Sequence, residues 1–284
     1  MGSTYILRKG NATLSDLADG MAANGLYGGG RAWRVNSSGS GDYATIQEAV
    51  NAASQGDVIL IDGSAEYDEN VTVTTHKLTF VGVGAPRSVR ATSVGTNSTC
   101  FTINGAYDVA MFNMNVGGRG TGSALELTGQ IRRFSAFDCR FSGGANGVEI
   151  AASSGGQVVD VLFERCRFEG TDGVEFSTGE GGDPASQIYF KSCDFQYCAA
   201  LCINHPTNSY STGLFVQGCN FLPEEDGTAP STGWIKADNA AQTGMISGCF
   251  FADTLHEADR TAIDAGVLYV GNYAEEGVSA ARPD

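Results

Sequence analysis

Ala136-Phe137-Asp138-Cys139-Arg140-Phe141 decides how this chain folds, because four lines of the same form follow it. They are Phe163-Glu164-Arg165-Cys166-Arg167-Phe168, Phe190-Lys191-Ser192-Cys193-Asp194-Phe195, Val216-Gln217-Gly218-Cys219-Asn220-Phe221 and Ile246-Ser247-Gly248-Cys249-Phe250-Phe251. The cysteines recur every 26 to 30 residues, and a weaker earlier copy ends in Asn113-Met114-Asn115-Val116. A fixed period of this size, built from short strands and Gly, Asn and Asp turns, is the signature of a solenoid in which each repeat stacks on the one before. Residues five and three places before the cysteine are mostly apolar (Val109/Met111, Phe134/Ala136, Val161/Phe163, Ile188/Phe190, Leu214/Val216), which is the alternation of a strand with one face buried. Two residues, usually polar, then precede the cysteine and break the period of two once, as a corner between strands does. The expectation is a parallel β-helix in which Val116, Phe141, Phe168, Phe195, Phe221 and Phe251 form an interior ladder with rungs about 4.8 Å apart.

Composition narrows the function. The chain has 284 residues, enough for one large solenoid, and a formal charge of −15. Phosphate backbones are repelled by such a chain, so nucleic acid is not an expected partner. No apolar run approaches the ~20 residues of a membrane span, and the N-terminus lacks the apolar stretch of a signal peptide. Synthesis and assembly in the cytosol are expected. Five of the eight cysteines share one repeat position, where parallel side chains suit the ~90° disulfide dihedral poorly. Reduced thiols packed as small hydrophobes fit better. No CxxC pair or histidine cluster offers a zinc site, so neither metal nor cofactor is expected. Cys198 and Cys202 have the spacing of helical ligands, but their segment reads as a turn into a strand.

Residues 1–31 do not follow the repeat. Thr13 and Asp16 suit a helix start, and Leu14, Leu17, Ala18 and Met21 share one helical face before Gly28-Gly29-Gly30. So short an amphipathic helix needs a surface to pack on, either its own β-helix or a partner protein. Residues 32–284 read as the β-helix, with repeats over about 58–273. Thr45 and Glu48 form a capping box ahead of Ile46, Ala49, Val50 and Ala53, so a helix over about 45–53 is expected to cover the open first coil. Insertions at 177–186, 205–212, 222–232 and 252–261 are expected to leave the coils as loops.

The stretches GDYATIQEAVNAA (41–53), GDVILIDGSAEYDENVTV (56–73) and LTFVGVG (78–84) resemble the opening of pectin methylesterases and related pectate-lyase-like proteins, many bacteriophage virion proteins among them. The resemblance is close over residues 33 to 84 and only general in the later repeats. It implies an all-β, single-stranded right-handed parallel β-helix with an N-terminal capping helix, ahead of which residues 1–31 read as a short helical arm. Gly82-Val83-Gly84 is followed by Pro86 and reads as a turn, not a dinucleotide site, which needs a helix there.

The resemblance also permits a search for chemistry. The GxVDFIFG-like and LGRPW-like segments of the esterases are absent, as are the vWiDH and RxPxxR patterns of pectate lyases. Gly170-Thr171-Asp172-Gly173-Val174-Glu175-Phe176 resembles the NTD segment of polygalacturonases, without that family's further acid pair, GHG or RIK motifs. In the preceding coil Asn146 stands where Asp172 stands here, and Asn-Gly and Asp-Gly both suit turns. Glu126, Glu149 and Glu175 form an outward column. Strand spacing sets such carboxylates about 4.8 Å apart, near the ~5–5.5 Å of retaining glycosidases. If the chain is an enzyme, Glu149, Glu175 and Asp172 are its candidates. The competing readings are solvated acids, acids paired with Arg or Lys across a subunit boundary, or a cation site. His76, His205 and His256 lie in unrelated segments and compose no triad.

Four residues before each cysteine, on the outward face, stand Leu162, Tyr189, Phe215 and Met245. Stacked, they make an apolar stripe of a kind that soluble monomers seldom expose. Identical β-helices packed side by side around a threefold axis, or a loop of the same chain, would bury it. With the phage context that the resemblance implies, the expected function is a non-catalytic virion protein. It is read as a trimeric capsid decoration protein whose arm, through Leu14, Leu17 and Met21, grips the major capsid protein or another virion protein. The alternatives are a carbohydrate-active enzyme (lyase, esterase or hydrolase) and a tail appendage that binds surface glycan.

Overall fold

Each cysteine line turns a corner, and the corner has a fixed backbone geometry. Asn113, Asp138, Arg165, Ser192, Gly218, Gly248 and Gly271 occupy it on successive coils with φ between 51° and 63°. Only glycine adopts this left-handed conformation freely; elsewhere it costs about 1–2 kcal/mol. Its repetition shows that the surrounding stack dictates the bend. The computed structural model describes residues 30–274 apart from 64–65, 86, 88, 153–155, 179–184, 206–210, 224–229, 232, 238–242, 253–260 and 264–266. Leu14, Leu17 and Met21 of the arm, His256 and most of the four insertions lie outside the described residues.

Before the corner each coil contributes one strand to a ten-stranded, wholly parallel sheet running from Ala32–Val35 to Val267–Val270. After it the coil contributes to a fifteen-stranded parallel sheet. Most coils give that sheet two short strands, such as Arg140–Ser142 and Asn146–Ala152. In Arg167–Thr178 and Asp194–His205 the two run together as one. The chain is thus the all-β, single-stranded right-handed parallel β-helix. Stacking in register places Phe141, Phe168, Phe195, Phe221 and Phe251 above one another. Their ring centroids are 5.8, 4.8, 4.9 and 4.7 Å apart and their planes lie within 22° of parallel.

All eight cysteines are free and buried. The Sγ of Cys166 lies 3.4 Å from the Ala136 carbonyl of the coil below, and that of Cys193 lies 3.4 Å from Phe163. Burial raises the thiol pKa of Cys202, which suits packing and not reactivity. In the last described coil Asn272 takes the cysteine's place. It accepts from the Cys249 amide (2.9 Å) and donates to the Ile246 carbonyl (3.1 Å), so its amide group ends the column with both backbone groups satisfied.

The N-terminal end is closed by α1 (Ile46–Ala52), which buries Ile46, Ala49 and Val50 and has the expected Thr45/Glu48 capping box. Glu69 adds a second cap from a neighbouring coil, accepting the Ile46 and Gln47 amides at 2.8 Å each. Asp57 ties the first strand down by accepting from the Arg31 amide, the Trp33 indole and the Ser54 amide. Burial raises its pKa, but these bonds outweigh that and leave it lowered.

Three turn expectations are corrected. Gly82 lies inside the strand Thr79–Val83, where a Cβ would stand 2.2 Å from the Asn113 carbonyl oxygen; the chain bends only at Gly84. Asn146-Gly147 and Asp172-Gly173 are strand residues, because their side chains bond to neighbouring coils and not to their own turn. Cys198 and Cys202 lie in one continuous strand whose pairing with the coil below shifts register across Phe168–Asp172.

The aromatic ladder is expected to dominate stability. Phe168→Ala, at 0% exposure between two stacked rings, should cost about 3–5 kcal/mol in urea unfolding; a cost below 1 kcal/mol would contradict the stack.

Candidate functional site

Two outward features lie on different faces of the rod. The first is the acid column. Thr102, Glu126, Glu149, Glu175, Asn204 and Lys236 follow one another in register, on strands whose alternate residues, such as Leu125 and Leu127, point inward. Like charges directly opposite on adjacent strands repel, and the chain supplies a donor beside each. Thr102 Oγ1 donates to Glu126 (3.4 Å), Ser123 Oγ to Glu149 (3.1 Å) and Asn146 Nδ2 to Glu175 (2.6 Å). Asp172, only 8% exposed, accepts from the Leu201 amide (3.0 Å) and Asn204 Nδ2 (2.8 Å).

These surroundings raise three carboxyl pKa values. Burial, then the Glu149 charge, raises Glu126. Burial raises Asp172 against its two hydrogen bonds. Burial, with the Asp172 and Glu149 charges, raises Glu175 against the bond from Asn146. A carboxyl with a raised pKa beside a second carboxyl is the arrangement that acid–base hydrolysis uses. Here each acid also spends an oxygen on a neighbour within the rod. The structure thus brings the three candidate acids together, with Asn146 level with Asp172. Another acid, Glu169, is shared by two arginines, a pairing that the sequence pattern does not show. Arg140 grips it with two bonds (3.0 and 2.6 Å) and Arg167, stacked directly on Arg140, pairs with it too. Nothing in the cysteine line distinguishes these arginines around a buried carboxylate from exposed charges.

The second feature is the apolar stripe. Leu162, Tyr189, Phe215, Met245 and Leu268 are consecutive partners on the ten-stranded sheet. The rings of Tyr189 and Phe215 stack at 4.7 Å, 8° from parallel. The first four are partly buried and Leu268 is 58% exposed. Sequence reasoning missed that the next outward column is apolar lower down, at Val81, Phe112 and Phe137. Those residues sit two places before the cysteine or its equivalent, a position filled by Glu164 and Lys191 in later repeats, so the pattern does not repeat. Below them Val58 and Leu60 also face outward but are fully buried in a small cluster with Ala32, Val81 and Val83.

No protein-family model matches the chain, and neither does any curated protein. Solved structures do. A pectin methylesterase from Aspergillus niger superposes with a TM-score of 0.61 at 18% identity, covering 88% of each chain. A rice weevil pectin methylesterase gives 0.58 at 15% identity, over 85% of this chain and 88% of that one. The ORF18 protein of Geobacillus virus E2 gives 0.52 at 13% identity, over 95% of this chain and 65% of that one. At such identities the likeness is one of fold, the parallel β-helix shared by esterases and a viral protein alike.

The raised carboxyl pKa values set a sign. Because folding favours the protonated forms of Glu126, Asp172 and Glu175, their contribution to stability is full below the ordinary carboxylate range and is lost as pH rises through it, from about pH 4 upward. Glu126→Gln should therefore flatten that loss and raise stability at neutral pH by about 0.2–1 kcal/mol. Urea titrations of both proteins across that range check it, and an unchanged or lowered midpoint at neutral pH would contradict it.

Proposed function

We propose that this chain is a non-catalytic structural protein of a phage virion. In this reading it is a capsid decoration protein whose β-helices pack side by side as trimers and attach through the N-terminal arm to the major capsid protein or another virion protein. The observation that carries the reading is the stripe from Leu162 to Leu268, four partly buried apolar side chains and one exposed, aligned on a parallel sheet. At about 25 cal/mol per Å² of apolar area removed from water, a row of this size favours burial against another surface. The donors beside each acid support the structural role of the column, since they offset carboxylate repulsion along the rod. The likeness to a viral β-helix is consistent with the virion setting.

A second reading, a carbohydrate-active enzyme or glycan-binding appendage, is favoured by one observation: Glu149 and Glu175 are adjacent, and the Glu175 carboxyl is raised. The esterase-like fold neighbours fit it equally.

Two measurements separate these. Light scattering should give a wild-type mass several times 29.6 kDa, while Phe215→Asp, a charge placed in the stripe, should fall to the single-chain mass with its fold intact. A wild type that runs as one chain contradicts the lateral packing. In a polysaccharide panel no turnover is expected; turnover that disappears in Glu175→Gln would establish the enzyme instead.

A further inference from the structure

The apolar stripe does not begin at Leu162. On the same sheet Phe112 stacks on Phe137, ring centroids 5.0 Å apart and planes 11° from parallel. They stand in the outward column that continues into Glu164 and Lys191. Where this column turns charged, the outward column two residues earlier in each strand turns apolar, Ala110 and Ser135 giving way to Leu162 and Tyr189. The result is one line of seven large apolar side chains, from Phe112 to Leu268, that steps sideways by two residues halfway along.

We infer that this stepped line is the contact surface for a second copy of the same chain, whose axis is inclined to its own and not parallel to it. Seven rows about 4.8 Å apart span roughly 29 Å along the rod, and two strand residues displace the line by about 6.6 Å. A ridge that follows it is tilted by roughly 13°. A copy of this chain, whose ten-stranded sheet runs the same length, can stay in contact along all of it.

Charge selects a copy of the chain. The strands of the ten-stranded sheet carry Arg34, Arg132, Arg133 and Lys191 against Asp62, Asp160 and Glu164, so the face is nearly balanced in a chain of −15. Two acidic molecules meet with least repulsion through such a face. At the step itself the charges are satisfied internally: Arg165 pairs with both Asp138 and Glu164, and Arg133 pairs with Asp108. The step therefore asks no charge of its occupant.

The inference rests on the lateral self-association proposed above and adds Phe112 and Phe137 as contact residues together with the tilt. The test compares the molar masses of wild type, Phe137→Asp and Phe215→Asp at matched concentrations, with circular dichroism and thermal unfolding confirming the fold. Each variant is expected to weaken assembly at least about tenfold. If Phe215→Asp dissociates while Phe137→Asp assembles like wild type, the contact ends at Leu162. The stepped line is then wrong although lateral association stands. A wild type of single-chain mass overturns both. Should Phe137→Asp fail to fold, the double variant Phe112→Gln/Phe137→Gln carries the same comparison.

Discussion

Parallel strands in register place like above like, and every other feature of this molecule is a consequence. The hydrogen-bonded ladder sets the residues of each new coil over those of the coil below, with a shift in register only across Phe168–Asp172 among the described pairings. An inward phenylalanine thus becomes a column of rings from Phe141 to Phe251, and an inward cysteine becomes a column of thiols that Asn272 terminates. The corner must recur at one place, so Asp138, Arg165 and Ser192 accept a left-handed backbone that their side chains disfavour. The coils without a glycine at the corner therefore tolerate a local cost that a single strand pair would avoid.

On the outer face the same rule multiplies chemistry. One outward glutamate repeated on three coils makes a line of carboxylates, which folding tolerates because Thr102, Ser123 and Asn146 each donate to one of them. One outward apolar residue repeated makes a stripe, over which Lys191 lays its ammonium at the Tyr189 ring alone among the described residues. The acid column is thus satisfied from within the chain, whereas the stripe gains by contact with something else. That asymmetry is why the sheet bearing Leu162, and not the one bearing Glu149, carries the functional reading.

The stack was legible in the sequence because its period was carried by residues with one role. Cys and Phe at fixed places, the capping box at Thr45 and Glu48, and the outward positions of Leu162 and Tyr189 all follow from alternation plus one corner. What escaped notice depends on contacts between coils. Asn146 and Asp172 looked like turn residues because Asn-Gly and Asp-Gly usually are; their bonds to Glu175 and Asn204 hold them in strands instead. Phe112 and Phe137 escaped because their column changes character at Glu164, and a pattern read one line at a time does not show a stripe that shifts columns. The shared grip of Arg140 and Arg167 on Glu169 was hidden for the same reason.

The central claim, that the stripe is covered by another copy of the chain, is tested most directly at Met245, which lies within it. Its rate of oxidation by dilute peroxide, followed by mass spectrometry over a range of protein concentrations, reports whether water reaches the stripe. The account predicts slow oxidation at high concentration that accelerates on dilution as the copies separate. A rate that is fast and independent of concentration would contradict it.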